Sequence, residues 1–134
     1  MSGKEILIDT NIILYLLEGS DTLEKALQGK DVYISFITEL ELIGYSGNSK
    51  KREEQIAGLL SDCSIISMNT LIKEKFVEIK KQHGLKLADA IIAATAMAFD
   101  MRIITGDKQF RKVDKLKLIT YEHGIQLTDR NEEK

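Results

Sequence analysis

Two aspartates occupy equivalent places along this chain. Asp9 directly follows the apolar run Glu5–Ile8, and Asp107 follows Arg102–Thr105 after the single residue Gly106. If both runs are parallel strands, both carboxylates lie beyond strand carboxyl ends, where open α/β sheets bind ligands. Taken singly, each reads better as a turn residue or helix cap, since aspartate is common at both. Their recurrence argues for a shared site. Asp89 and Glu41 are further candidates. Asp89 falls in the first turn of an alanine-rich helical segment, where the helix dipole alone would favour it. It shares an arc with Ala93, Ala96 and Asp100, a stripe that either faces water or lines a cleft. Glu41 shares a helix face with Thr38 and Tyr45, whereas Glu39 points about 160° away from Glu41, so only one of the two glutamates enters a given site. Carboxylates held together raise one another's pKa, and a hard cation relieves that repulsion. An oxygen-only set without nearby His or Cys favours Mg²⁺ or Mn²⁺ over zinc. His83 and His123 each adjoin a glycine at an element end and fit surface roles.

The elements that must position these residues follow from pattern. Glu5–Ile8, Val32–Ser35, Ser64–Ser67, Arg102–Thr105 and Leu116–Thr120 are short β-rich runs without alternation, as expected of buried parallel strands. Helical spacing joins them. Thr10–Glu18 places Ile13, Leu14 and Leu17 on one side, with Gly19 as a stop, and a short helix is expected over Asp21–Leu27. Further helices are expected from Ile37 to Tyr45, from a cap at Asn48 or Ser49 to Leu60, and from a cap at Asn69 or Thr70 to Lys81, with Gly84 ending the last. Leu87–Phe99 is the strongest, rich in alanine and ringed by Leu87, Ile91, Ile92 and Met97. Strands alternating with helices imply an α/β sandwich about a central parallel sheet of four to five strands.

Composition sets the outer bounds. At 134 residues the chain can bury a core without disulfides or structural metal, and no repeat or linker divides it. A single domain over 1–128 with a polar tail over 129–134 is therefore expected. Cys63, the only cysteine, has no internal partner and fits a small buried hydrophobe. The run Ile6–Leu17 is interrupted by Asp9 and Asn11, too polar for a signal sequence and too short for a membrane span of roughly twenty residues. A cytoplasmic protein without membrane association is expected. The net charge of −2 gives no global nucleic-acid signature, so any basic surface must be local. Residues 102–117 supply one: Arg102, Lys108, Arg111, Lys112, Lys115 and Lys117 against Asp107 and Asp114. Such charge suits phosphates beside Asp107 and equally suits a solvated loop.

Four motifs in order resemble those of PIN domains. They are Ile8 to Asn11, Ser35 to Leu42 with Glu41 six positions after the serine, Leu87 to Ala96 around Asp89, and Thr105 to Phe110 around Asp107. The match runs from Glu5 to about Leu118. The short length and the form of the third motif most resemble VapC, the toxin of bacterial and archaeal toxin–antitoxin pairs. That resemblance implies a PIN-like three-layer sandwich and a metal-dependent endoribonuclease, usually a homodimer, held inactive by a cognate VapB-like antitoxin. By position, Asp9, Glu41, Asp89 and Asp107 inherit the metal-binding roles, and Asn11 and Thr105 inherit supporting polar roles. The expected chemistry is in-line attack of metal-activated water on an RNA phosphodiester. Asp9 and Asp107 would bind the ion directly, Glu41 and Asp89 would complete the shell or orient water, and Lys108, Arg111 and Lys112 would hold RNA. Three alternatives stand beside it: an RNA-maturation PIN nuclease without antitoxin, a phosphohydrolase with Asp9 as nucleophile, and a non-catalytic RNA-binding module. The second lacks the further acid expected two residues after its nucleophile, where Asn11 stands.

Overall fold

The computed structural model describes residues 3–122 and 126–130. Strands and helices alternate: β1 (Glu5–Ile8), α1 (Thr10–Leu17), α2 (Asp21–Leu27), β2 (Asp31–Ser35), α3 (Phe36–Ile43), α4 (Lys50–Ser61) and β3 (Ser64–Ile66). The second half holds α5 (Thr70–His83), α6 (Leu87–Ala98), β4 (Arg102–Thr105), a short 3-10 helix (Lys108–Lys112), β5 (Lys117–Glu122) and β6 (Gln126–Asp129). One sheet results, in the order β3-β2-β1-β4-β5-β6. Its first five strands are parallel, and β6 adds an antiparallel edge on β5. The five expected strands are all present. The sixth falls partly in the segment expected as a tail, where Asp129 closes β6 and the Arg130 guanidinium donates to the carbonyls of Val113 (2.9 Å), Asp114 (3.1 Å) and Leu116. Residues 131–134 and His123 lie outside the described residues.

Alternation along the strands divides the core between two layers. Leu7, Ile103 and Leu118 pack on one side with α5, α6 and Phe110. Ile6, Ile8 and Ile104 pack on the other with Ile12, Ile13, Leu23 and Ile56 from α1, α2 and α4. Each such side chain taken fully from water contributes about 1.5–3 kcal/mol. Caps fix where the helices begin: Ser20, Ser49 and Asn69 accept backbone N–H groups at the starts of α2, α4 and α5. Gly84 ends α5 in the left-handed region at φ 64°, which costs a residue without Cβ little.

Two expectations from helical spacing need correction. On α1 the buried face centres on Ile12 and Ile13, and Leu14 is 39% exposed, because that position turns toward a groove beside Glu41. On α6 the face of Ala90, Ile91, Ile92, Ala93 and Ala94 is buried, and Leu87 at the first position is 59% exposed.

Candidate functional site

The carboxyl ends of β1 and β4 sit side by side at the sheet centre, with Ile8 in register with Ile104. Both aspartates end up as helix caps. Asp9 precedes α1, and its Oδ1 accepts the Ile12 N–H at 3.0 Å. Asp107 precedes the 3-10 helix, and its Oδ1 accepts the Gln109 N–H at 2.9 Å. The capping and shared-site readings are therefore compatible, because the turn that ends each strand aims its acid at the same edge. Thr105 ties the pair together. Its hydroxyl donates to Asp9 Oδ2 and accepts the Asp107 N–H at 2.9 Å.

Two helices bring the remaining acids. Glu41 on α3 accepts a 2.6 Å hydrogen bond from the Thr10 hydroxyl, whose oxygen also lies 3.3 Å from the Thr38 hydroxyl. Asp89 is half-buried in the first turn of α6. Electrostatics link all four. Burial pushes the Asp9 carboxyl up to about 6, the hydrogen bonds from Thr105 and Ile12 oppose the rise, and the charges of Asp107 and Asp89 add to it. Burial also raises Asp89, helped by Asp107 and Glu41 and offset by Lys86. Each acid is thus within electrostatic reach of at least one other. Among the described residues, however, no three His, Cys, Asp or Glu side chains converge closely enough to hold a cation as they stand. The donor set is all carboxylate oxygen, the chemistry that suits Mg²⁺ or Mn²⁺. Glu41 is exposed and Asp107 partly so, which leaves both side chains room to turn.

The other expected residues are dispersed. Asn11 is exposed on α1, and Glu39 is half-buried, away from the contacts that hold Glu41. The stripe beside Asp89 does not face water at its middle, since Ala93 and Ala96 are buried, and its far end, Ala96 and Asp100, lines a small cavity away from Asp89. The basic stretch is split between opposite edges of the sheet. Arg102 and Lys117 begin their strands, far from the acids, and are held by the Gly3 carbonyl (3.1 Å) and Asp100 (2.9 Å). Arg111 is paired with Glu122 at 2.6 Å. Lys108 and Lys112 are exposed at the two ends of the 3-10 helix. Sequence reasoning passed over Thr10, which holds Glu41. Its position just after Asp9, at the first residue of α1, was the available signal.

A family model for the PIN domain matches residues 6–116. The chain belongs to the PIN-domain family. Solved PIN-like structures agree with this one over most of its length. A chain of a toxin–antitoxin complex from Klebsiella pneumoniae is 33% identical, with a TM-score of 0.73, 87% of this chain covered and 98% of that one. VapBC-1 from nontypeable Haemophilus influenzae matches at 25% identity, TM-score 0.73, with coverage of 87% and 97%. VapBC2 from Rickettsia felis, bound to a promoter DNA fragment, shares the fold at 22% identity and TM-score 0.78, with coverage of 87% and 98%. No curated protein gives a significant match. Among the described residues of this PIN domain, no helix is long and apolar enough to cross a membrane.

Proposed function

We propose that this PIN domain is a metal-dependent endoribonuclease, the toxin of a type II toxin–antitoxin pair, acting in the cytoplasm. The observation that supports the reading is the electrostatic coupling of Asp9 to Asp107 and Asp89, and of Asp89 to Asp107 and Glu41, with Asp9 buried among like charges. A buried carboxylate that repels its neighbours favours a cation beside it. Asp9 and Asp107 would hold Mg²⁺ or Mn²⁺, with Asp89 and Glu41 completing the set. When bound, the ion supplies an activated water and neutralises charge on the phosphate. The chain's own contribution is positional. Thr105 and the Ile12 N–H fix both Asp9 oxygens, and Thr10 fixes Glu41.

The toxin assignment rests on the neighbours, which come from toxin–antitoxin complexes. A VapB-like antitoxin and a second copy of the chain are the proposed protein partners. Leu40, Ile43 and Leu87 are all more than half exposed and offer apolar surface for such contacts. The deciding experiment is expression of wild type and Asp9→Asn without partner, followed by mapping of new RNA 5′ ends. New ends and growth arrest are expected from wild type alone, and cleavage by the purified protein disappears with chelator. Cleavage that survives Asp9→Asn or chelation would remove the metal mechanism.

A further inference from the structure

Two cavities have site acids on their walls. The larger, about 590 Å³, lies between α1, α3 and α4 and is lined by Thr10, Glu41, Tyr45 and Arg52, among others. The smaller, about 410 Å³, is lined by Lys86, Asp89, Asp107 and Gln109. The larger has one site acid on its wall, Glu41, the smaller has two, Asp89 and Asp107, and each carries one cation. Arg52 is the unusual member. Its Nη1 is buried and has no hydrogen-bond partner among the described residues. A buried guanidinium nitrogen left unpaired is costly, and its planar fork suits a phosphate. An aromatic ring stands in the same cavity. Tyr45 is 66% exposed, and its ring lies directly over Gly47, where an added Cβ would come within 2.6 Å of it. A cation beside an exposed ring is the pairing that holds single-stranded nucleic acid, by phosphate contact and base stacking.

We propose that a single RNA strand crosses the site from one cavity to the other, with Arg52 and Lys86 holding the phosphates that flank the cleaved one. In the larger cavity the base stacks on Tyr45 while its phosphate meets Arg52; in the smaller, Lys86 takes the phosphate on the other side. This rests on the ribonuclease reading and moves the RNA contacts away from Arg111, which is already paired with Glu122. A peptide occupant would account for the larger cavity alone. A strand accounts for both, and for a cation in each.

The test is binding and cleavage of a fluorescein-labelled single-stranded RNA oligonucleotide, with the salt dependence of binding measured on Asp9→Asn protein. Arg52→Gln and Lys86→Gln are each expected to weaken binding about tenfold. Each should also lower the slope of log affinity against log salt by about 0.7, the value for one lost phosphate contact on a single strand. Arg52→Lys keeps the charge without the fork, so the slope stays and affinity falls about threefold. Tyr45→Ala weakens binding about tenfold with the slope unchanged. Lys51→Gln, exposed on the same helix and outside the cavity, changes binding less than about twofold. Melting curves confirm that each variant is folded. Wild-type slopes in Arg52→Gln and Lys86→Gln overturn the proposal, and if cleavage persists there the ribonuclease reading survives without it. Arg52→Gln that binds RNA as tightly as wild type gives the larger cavity to a peptide, which also overturns it. Loss of slope in protein that never cleaves RNA keeps the strand path and removes the nuclease.

Discussion

The strand half of the site and the helix half are built differently. Asp9 is 4% exposed, has both oxygens engaged, and is linked through Thr105 to the backbone of Asp107. Glu41 is exposed and held by one hydroxyl, and Asp89 is half-buried on α6. The strand half is fixed by backbone that the sheet cannot vary, since β1 and β4 are neighbours in register. The helix half depends more on side-chain rotamers, above all at Glu41, which is longer and exposed. Asp9 is set before any ligand arrives, and the other acids can close upon it. That difference predicts where substitutions should hurt most.

The largest effect belongs to the strand half. Asp9→Asn should lower RNA cleavage by more than about 100-fold, exceeding what loss of an outer-shell partner of a metal site costs. The same variant should fold more stably without metal, because it removes a buried charge. The sign follows from the raised pKa. Below the ordinary value of 3.8 the carboxyl is neutral in both folded and unfolded chains, so nothing is lost. Between there and about 6 the unfolded chain ionises first, and stability falls as pH rises. The gap corresponds to about 3 kcal/mol, fully lost above pH 6 in metal-free protein. Urea titrations from pH 4 to 7 should show the decline in wild type and a smaller one in Asp9→Asn, where the raised carboxyl of Asp89 remains. Added Mg²⁺ at pH 7 should restore stability to wild type only. A flat wild-type profile would break the claim that this half is strained by its own charge.

Thr105→Val tests the link within the strand half. It leaves Asp9 Oδ2 and the Asp107 N–H without their shared hydroxyl. Cleavage should fall about 10- to 100-fold. Because that hydrogen bond opposes the rise in the Asp9 pKa, the acid limb of the pH–rate profile should move to higher pH. A simple loss of rate with an unmoved limb would mean that Thr105 acts only in packing.

The same division explains what could be read from sequence. Asp9 and Asp107 were legible because apolar runs mark strands, and a strand end locates its next residue in space. The helix boundaries likewise followed from Ser49, Asn69 and Gly84, which act through their own backbone. Asp89 was legible only through the motif, since a helix dipole explains an aspartate there just as well. The layout of the basic stretch was not legible because residues near in sequence sit at opposite ends of a strand: Lys117 begins β5 at one end, and the 3-10 helix lies by the other. Arg52 carried no signal among Lys50, Lys51, Glu53 and Glu54, because the burial of one guanidinium nitrogen depends on how α4 meets α3. Such helix-on-helix contacts have no short-range mark in sequence.

The smallest expected effect separates the two glutamates of α3. Helical geometry allows one of them into the site, and the serine spacing of the second motif chose Glu41. In the structure only Glu41 meets the Thr10 hydroxyl, and its charge is the one that raises Asp89. Since the helix half is held by rotamers, losing one of its acids should cost less than losing Asp9. Glu41→Gln is expected to lower cleavage about tenfold, at the bottom of the range for residues supporting a metal site. Glu39→Gln should remain within about twofold, as for a charge that makes none of the contacts holding Glu41. Thr10→Val should reproduce part of the Glu41→Gln loss, and the double variant should fall no further than Glu41→Gln alone, because the hydroxyl acts through that carboxylate. Additive losses would mean that Thr10 touches substrate itself. The first residue of α1 would then belong to the fixed half of the site.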